Sequence, residues 1–272
     1  MDQSANDHAF SGSIPDLYDG LLVPLIFEPY AVDLAARVAA RRPRRVLEIA
    51  AGTGAVTRRL AATLPAETEI VATDLNPPML ARAQAVGTAR PVEWRQADAM
   101  QLPFDDASFD AVVCQFGVMF FPDKARAFAE VRRVLVPGGA FLFNVWDRLE
   151  ANEFPHAVSE ALAGLYPADP PTFMRRTPHG HFDRASIEAD LRMGGFTAAP
   201  EAATVAARSR AESARVPAMA FCLGTPMRGE IEARDPGGLE RAVECANEAL
   251  VGRFGSGPVD GAIQAFVFTV AA

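Results

Sequence analysis

Cysteine is scarce in this chain, and long apolar runs are missing. The three cysteines, Cys114, Cys222 and Cys245, are odd in number and show no metal-type spacing. Cys114 falls in an apolar strand pattern and reads as a small buried hydrophobe. The longest apolar stretch, Phe116 to Phe121, is far too short to span a bilayer. Positive charge is also in deficit: 26 basic residues face 34 acidic ones, a net charge of −8. That balance argues against a nucleic-acid footprint, which needs Lys and Arg gathered on one face. Arg41, Arg42, Arg44 and Arg45 do cluster, but beside a core strand they read as a solvated helix end. The first eight residues, Met1 to His8, lack the basic and apolar regions of a signal peptide. The expectation is a cytoplasmic protein with no membrane span, with its oligomeric state, monomer or homodimer, left open.

Half of the 272 residues are apolar, enough for one α/β domain with insertions or a domain plus a small cap. The stretch Val46-Leu47-Glu48-Ile49-Ala50-Ala51-Gly52-Thr53-Gly54-Ala55-Val56-Thr57 carries most of the functional information. An apolar run ending in an acid, then a glycine turn, then a helical pattern reads as buried strand, tight loop and helix start. Gly52 and Gly54 can take positive φ and let a ligand approach the backbone, and the helix start adds partial positive charge. A dinucleotide fingerprint needs a small residue three positions after Gly54, and Thr57 stands there. Glu48 is also badly placed beside a pyrophosphate but well placed beside an ammonium group. The plain alternative is that the two glycines only make a turn.

Glu48-x-x-x-Gly52-x-Gly54 after an apolar strand resembles motif I of the class I S-adenosylmethionine-dependent methyltransferases. Ala50 replaces that family's usual first glycine, a departure its small size tolerates. The resemblance, closest to the ubiquinone/menaquinone-type and small-molecule enzymes, covers roughly residues 25–147 and implies S-adenosylmethionine as cofactor. It implies a loop of Ala50, Gly52, Thr53 and Gly54 around the donor. Asp74 ends the second strand, Glu69 to Asp74, and would accept the ribose hydroxyls; capping the helix near Pro77 is the competing role. Leu75 and Met79 would flank the adenine, with Asp98 and the Ala99 amide reading its edge. Gln115, ending the strand Ala111 to Gln115, would face the methionine portion. Leu102-Pro103-Phe104-x-x-x-Ser108-Phe109-Asp110, the amphipathic helix Pro122 to Leu135, Pro137-Gly138-Gly139 and the strand Ala140 to Trp146 also resemble the family. Tyr18 is the candidate for an aromatic that closes the pocket, anchoring its own segment being the alternative.

The implied fold is α/β: a Rossmann-like seven-stranded, mostly parallel sheet flanked by helices, with helical cap insertions. Residues 1–23 read as a mobile lid segment, with an ordered turn at Ile14 to Gly20, and 24–149 as the cofactor-binding core. A substrate-side cap at 150–182 follows, then more core at 183–208, a second insertion with two helices at 209–258, and a final core strand at 259–272. This order predicts transfer of a methyl group to an oxygen, carbon or nitrogen of a small lipophilic or aromatic acceptor. A non-catalytic S-adenosylmethionine-binding regulatory or structural protein is the alternative, and a nicotinamide dehydrogenase a third reading opposed by Thr57. A general base is needed only if the nucleophile must lose a proton. His156, His179 and His181 qualify chemically, although loop histidines read first as polar surface. His179-Gly180-His181 lacks a third metal ligand. Trp146 and Asp147 are better placed, at a strand's carboxyl end. No catalytic residue and no metal ligand is assigned.

Overall fold

The computed structural model describes Phe10 and residues 12–272. Of the 1–23 segment read as a mobile lid, residues 1–9 and 11 lie outside that range. Seven strands form one sheet: β1 Arg45–Glu48, β2 Glu69–Asp74, β3 Glu93–Gln96, β4 Phe109–Gln115, β5 Leu135–Trp146, β6 Glu201–Ala211 and β7 Val259–Ala271. Their order is β3-β2-β1-β4-β5-β7-β6. β1 pairs in parallel with β2 and β4, β2 with β3, and β4 with β5. β7 runs antiparallel to β5. The Ala272 amide donates to the Gly139 carbonyl and the Asp147 amide to that of Gln264, so one strand advances as the other retreats.

The chain divides into two compact units. The first holds 28–145, 181–205 and 265–272. Its central strands β1, β2, β4 and β5 are buried along most of their length and read as nearly unbroken apolar runs, while the edge strand β3 is polar and largely exposed. Side chains alternate across a strand, and the alternation sorts this core into two layers. Val46, Ala111, Val113, Ala140, Leu142 and Val267 pack with the helices Glu28–Ala40 and Ala55–Thr63. The residues between them supply an aromatic layer, with Phe141 stacked on Phe143 at 4.6 Å and Phe143 on Phe268 at 5.1 Å. Phe128, from the helix Lys124–Val134, packs against Phe141 and Phe143. Cys114 is fully buried in β4, as its setting implies.

The second unit holds the segment ending at Phe27 together with 146–180 and 206–264. Its helices Glu153–Leu165, Arg215–Leu223 and Leu239–Phe254 pack on one another around Phe154, Leu162, Phe221, Val243 and Leu250. The region 209–258 contains three helices, the third being Met227–Arg234, rather than two. The short spacer Gly224-Thr225-Pro226 hid the break: Thr225 Oγ1 accepts from the Met227 amide and donates to the Phe221 carbonyl. The expected turn at Ile14 to Gly20 is helical instead, with an α-turn at Ile14–Leu17 and a π-helix at Tyr18–Phe27. Pro24 sits inside that π-helix. A missing N–H and the ring's clash with the preceding turn disfavour a tight α-helix; the wider π turn accommodates both.

Candidate functional site

β1 stands between β2 and β4, so the chain leaves it on one side and returns on the other. The carboxyl ends at such a switch point form a crevice. Glu48 ends β1 and is 1 % exposed. Thr57, in the first turn of the next helix, donates its hydroxyl to Glu48 Oε2 at 2.6 Å. Burial pushes the Glu48 carboxyl up to about 8, against the Thr57 hydrogen bond and Arg58, while nearby Asp74 pushes further up. Thr57, noticed in the sequence for the fingerprint it breaks, is the residue that holds this carboxyl.

The loop that follows runs through left-handed backbone at Ala50 (φ +53°), Gly52 (+58°) and Gly54 (+81°). A side chain at Gly54 would lie 2.9 Å from Trp94 and 3.2 Å from Ala83. The space where a side chain at Gly54 would stand is filled by the core's own packing, so this position requires glycine. Ala50 adopts φ > 0 without glycine's freedom, a conformation that costs an L-residue roughly 1–2 kcal/mol. The strain is boxed in: a Cβ on Gly117 would come within 2.6 Å of Ala50 Cβ and 2.8 Å of Cys114 Sγ. Thr53 is 1 % exposed and its hydroxyl has no hydrogen-bond partner among the described residues.

Asp74 ties the second strand to this loop. Its Oδ2 accepts from the Gly52 amide at 2.8 Å, and its Oδ1 from the Asn76 amide at 2.8 Å and side chain at 3.3 Å. Burial raises its carboxyl above the ordinary range, against these hydrogen bonds. The capping alternative does not occur: Asn76 occupies the N-cap of Pro77–Val86. Leu75 is exposed, while Met79 is buried, with its methyl 3.6 Å from where a Gly52 Cβ would stand. Asp98 pairs with Gln101 in an isolated bridge and accepts from the Met100 amide at 2.8 Å through Oδ1; Ala99 is half-buried. Gln115, ending β4, is paired with Asn144 of β5. Asn144 was missed, although an amide within the apolar run Phe141 to Trp146 was a signal. Its Oδ1 accepts from the Phe116 amide at 2.9 Å and fixes the turn beyond β4, where Phe116 has φ +52°.

Glu48, Ala50, Gly52, Thr53, Gly54, Asp74, Leu75, Met79, Asp98, Ala99 and Gln115 thus all belong to the first unit. Tyr18 belongs to the second, where its ring stacks on Phe27 at 4.9 Å. The histidines depart from the surface reading. His179 is 4 % exposed, and burial lowers its imidazole to about 4. His181 is half-buried and faces Asp190 at 3.5 Å. Among the described residues no group of three His, Cys, Asp or Glu side chains is arranged to hold a metal.

Residues 47–143 match the family model of the methyltransferase domain. The matched stretch runs from β1 into β5 and is similar to a methyltransferase domain. Demethylmenaquinone methyltransferase of Deinococcus radiodurans is 40% identical over 134 residues, 48% of this chain and 52% of that protein. The Thermus thermophilus protein of the same name is 42% identical over 138 residues, 50% and 57% of the two chains. The chain therefore spans about half the length of the curated relatives it matches. Haemonchus contortus phosphoethanolamine N-methyltransferase 2, solved with phosphomonomethylethanolamine and S-adenosylhomocysteine, superposes with a TM-score of 0.61 at 17% identity. That match covers 99% of this chain and 60% of that one, and shows a shared fold. No helix among the described residues is long and apolar enough to cross a membrane.

Two predictions test the geometry of the first unit. Because folding raises the Glu48 pKa to about 8, the native state binds the extra proton and stability falls as pH rises from the ordinary glutamate range to 8. Urea titrations from pH 4.5 to 9 will show Glu48→Gln gaining stability relative to wild type across that window and nowhere else; parallel curves would contradict the assignment. Ala50→Gly relieves the left-handed strain but frees the unfolded chain, which offsets about 0.5–1 kcal/mol. A net stabilisation of about 0.5–1 kcal/mol is expected in the same assay.

Proposed function

We propose that this protein is an S-adenosylmethionine-dependent methyltransferase acting on a small lipophilic or aromatic acceptor in the cytoplasm. The observation that carries the reading is the buried Glu48–Thr57 pair at the end of β1. A carboxyl group there offers a pyrophosphate no positive charge and suits an ammonium ion. The unpartnered Thr53 hydroxyl, the exposed Leu75 beside Asp74 and the bent loop are consistent with a polar ligand carrying a flat base.

In this reading Glu48 holds the amino group of the donor's methionine part, and the loop from Ala50 through Gly52 and Thr53 to Gly54 cradles that part. Asp74 takes the ribose hydroxyls with the lone pairs left by Gly52 and Asn76, a carboxylate having about four acceptor positions. Leu75 and Met79 flank the adenine, and Asp98 accepts from its amino group through Oδ2 beside the Ala99 amide. Gln115 faces the methionine end. The bound donor supplies a methyl group made electrophilic by its sulfonium. The protein contributes in-line placement, which by itself removes much of a displacement barrier. The carboxyl ends of β1, β2 and β4 fix that placement on strands rather than on mobile loops.

The acceptor reading draws on the relatives' names, demethylmenaquinone methyltransferase, and an oxygen-bearing aromatic ring is the acceptor class they favour. The second unit, with its buried aromatics, is assigned to acceptor recognition. Incubation with S-adenosylmethionine and a panel of hydroxylated, amino and unsubstituted arenes will release S-adenosylhomocysteine with the hydroxylated set. Donor binding without release, whatever the acceptor, would instead establish a non-catalytic binding protein.

A further inference from the structure

A row of rings runs through the second unit and ends on a histidine. Phe10 meets Tyr18 edge-on at 6.0 Å, Tyr18 stacks on Phe27 at 4.9 Å, Phe27 tilts against Trp146 at 6.1 Å, and Trp146 lies 5.9 Å from the His179 ring. Three of the five rings come from the segment ending at Phe27 and the other two are Trp146 and His179, and no step along the row exceeds 6.1 Å. The final ring differs in being able to present an acceptor nitrogen.

Which nitrogen accepts is set by the backbone. His179 Nδ1 lies 2.8 Å from the Asp147 carbonyl oxygen. A carbonyl can only accept, so Nδ1 carries the proton and, in the neutral ring, Nε2 carries the lone pair. Burial keeps the ring neutral at physiological pH. Among the described residues no side chain or backbone group hydrogen-bonds to Nε2. The carbonyl that fixes the tautomer is itself held. The Asp147 amide donates to the Gln264 carbonyl, Asp147 Oδ2 accepts from Gln264 Nε2 at 2.6 Å, and Oδ1 accepts from the Arg148 amide at 2.7 Å. Asn152 closes the network, with Oδ1 accepting from the Gln264 amide at 3.0 Å. The His179 amide donates to the Met174 carbonyl, anchoring the histidine from its own side. A purely structural histidine would use both ring nitrogens or be replaceable by an apolar ring; here one nitrogen is committed and the other is kept as an acceptor.

We infer that His179 is a specificity-determining residue, its Nε2 accepting a hydrogen bond from a ring hydroxyl of a planar aromatic acceptor that packs at the Trp146 end of the row. The inference rests on the methyltransferase reading for its biological meaning, but its binding test uses no methyl donor. An arene that lacks the hydroxyl leaves Nε2 unsatisfied and is discriminated against.

The test compares 1-naphthol with 1-methoxynaphthalene, which keeps the ring and oxygen but lacks the O–H donor. Binding to the full chain is followed by tryptophan fluorescence. Wild type will bind 1-naphthol roughly three- to tenfold more tightly, the range of one neutral hydrogen bond. His179→Phe will bind the two equally. A wild type without preference, or a folded His179→Phe that keeps it, overturns the inference. Because that variant also removes a buried bond to Asp147, the wild type labelled with ¹⁵N-histidine supplies a second readout. The His179 Nε2 resonance will move on addition of 1-naphthol and stay in place with the ether, and an unmoved resonance in both titrations overturns the inference. Failure here alongside S-adenosylhomocysteine release from the acceptor panel removes His179 alone; success here without that release removes the methyltransferase reading alone.

Discussion

The buried Glu48 carboxyl is the constraint on which the rest of the first unit turns. A polar group sealed from water is costly unless it is hydrogen-bonded, and a charge more so. The Thr57 hydroxyl 2.6 Å away meets part of that cost, and to reach it the first turn of the next helix must come close to the end of β1. The chain has room for this only by bending through left-handed backbone at Ala50, Gly52 and Gly54. Gly54 then packs against Trp94 and Ala83, and Asp74 braces the Gly52 amide from the neighbouring strand. Loop shape, strand pairing and carboxyl position therefore form one interlocked arrangement, and Ala50 carries its conformational cost.

The same arrangement sets the electrostatics. With its proton held up to about pH 8 by burial, Glu48 is largely neutral in the free protein near pH 7. A cation brought against it reverses the balance, because an opposite charge within a few ångströms favours the carboxylate. Binding of a cationic ligand and loss of a proton are therefore coupled at this residue. An anionic phosphate would keep the carboxyl protonated and gain no such attraction, so the strand end favours a cation.

Much of the first unit was legible from the sequence because its signals are local and repeat in order. β1, β2 and β4 are short apolar runs that each end in a polar residue, Glu48, Asp74 and Gln115, and Pro77 marks a helix start. Distant contacts were not legible. Thr57 gave no sign of reaching Glu48, and Trp94 none of filling the space beside Gly54. His179 reads as a loop residue until the carbonyl of Asp147, 32 positions earlier, captures its Nδ1. The extra helix of 209–258 was missed although Gly224 and Pro226 mark the break, because the spacer is only three residues long and Thr225 closes it. The helical run before Pro24 was hidden because a proline reads as the first residue of a helix, whereas here it sits inside one of π geometry.

The central claim is that Glu48 holds the ammonium of a cationic cofactor, and proton-linked calorimetry tests it most directly. S-adenosylmethionine is titrated into the wild-type protein at pH 7 in two buffers of different ionisation enthalpy. The account predicts binding, with an observed heat that differs between buffers in the sense of proton release and a difference that disappears in Glu48→Gln. Binding without proton release, or no binding by a folded protein, would contradict it.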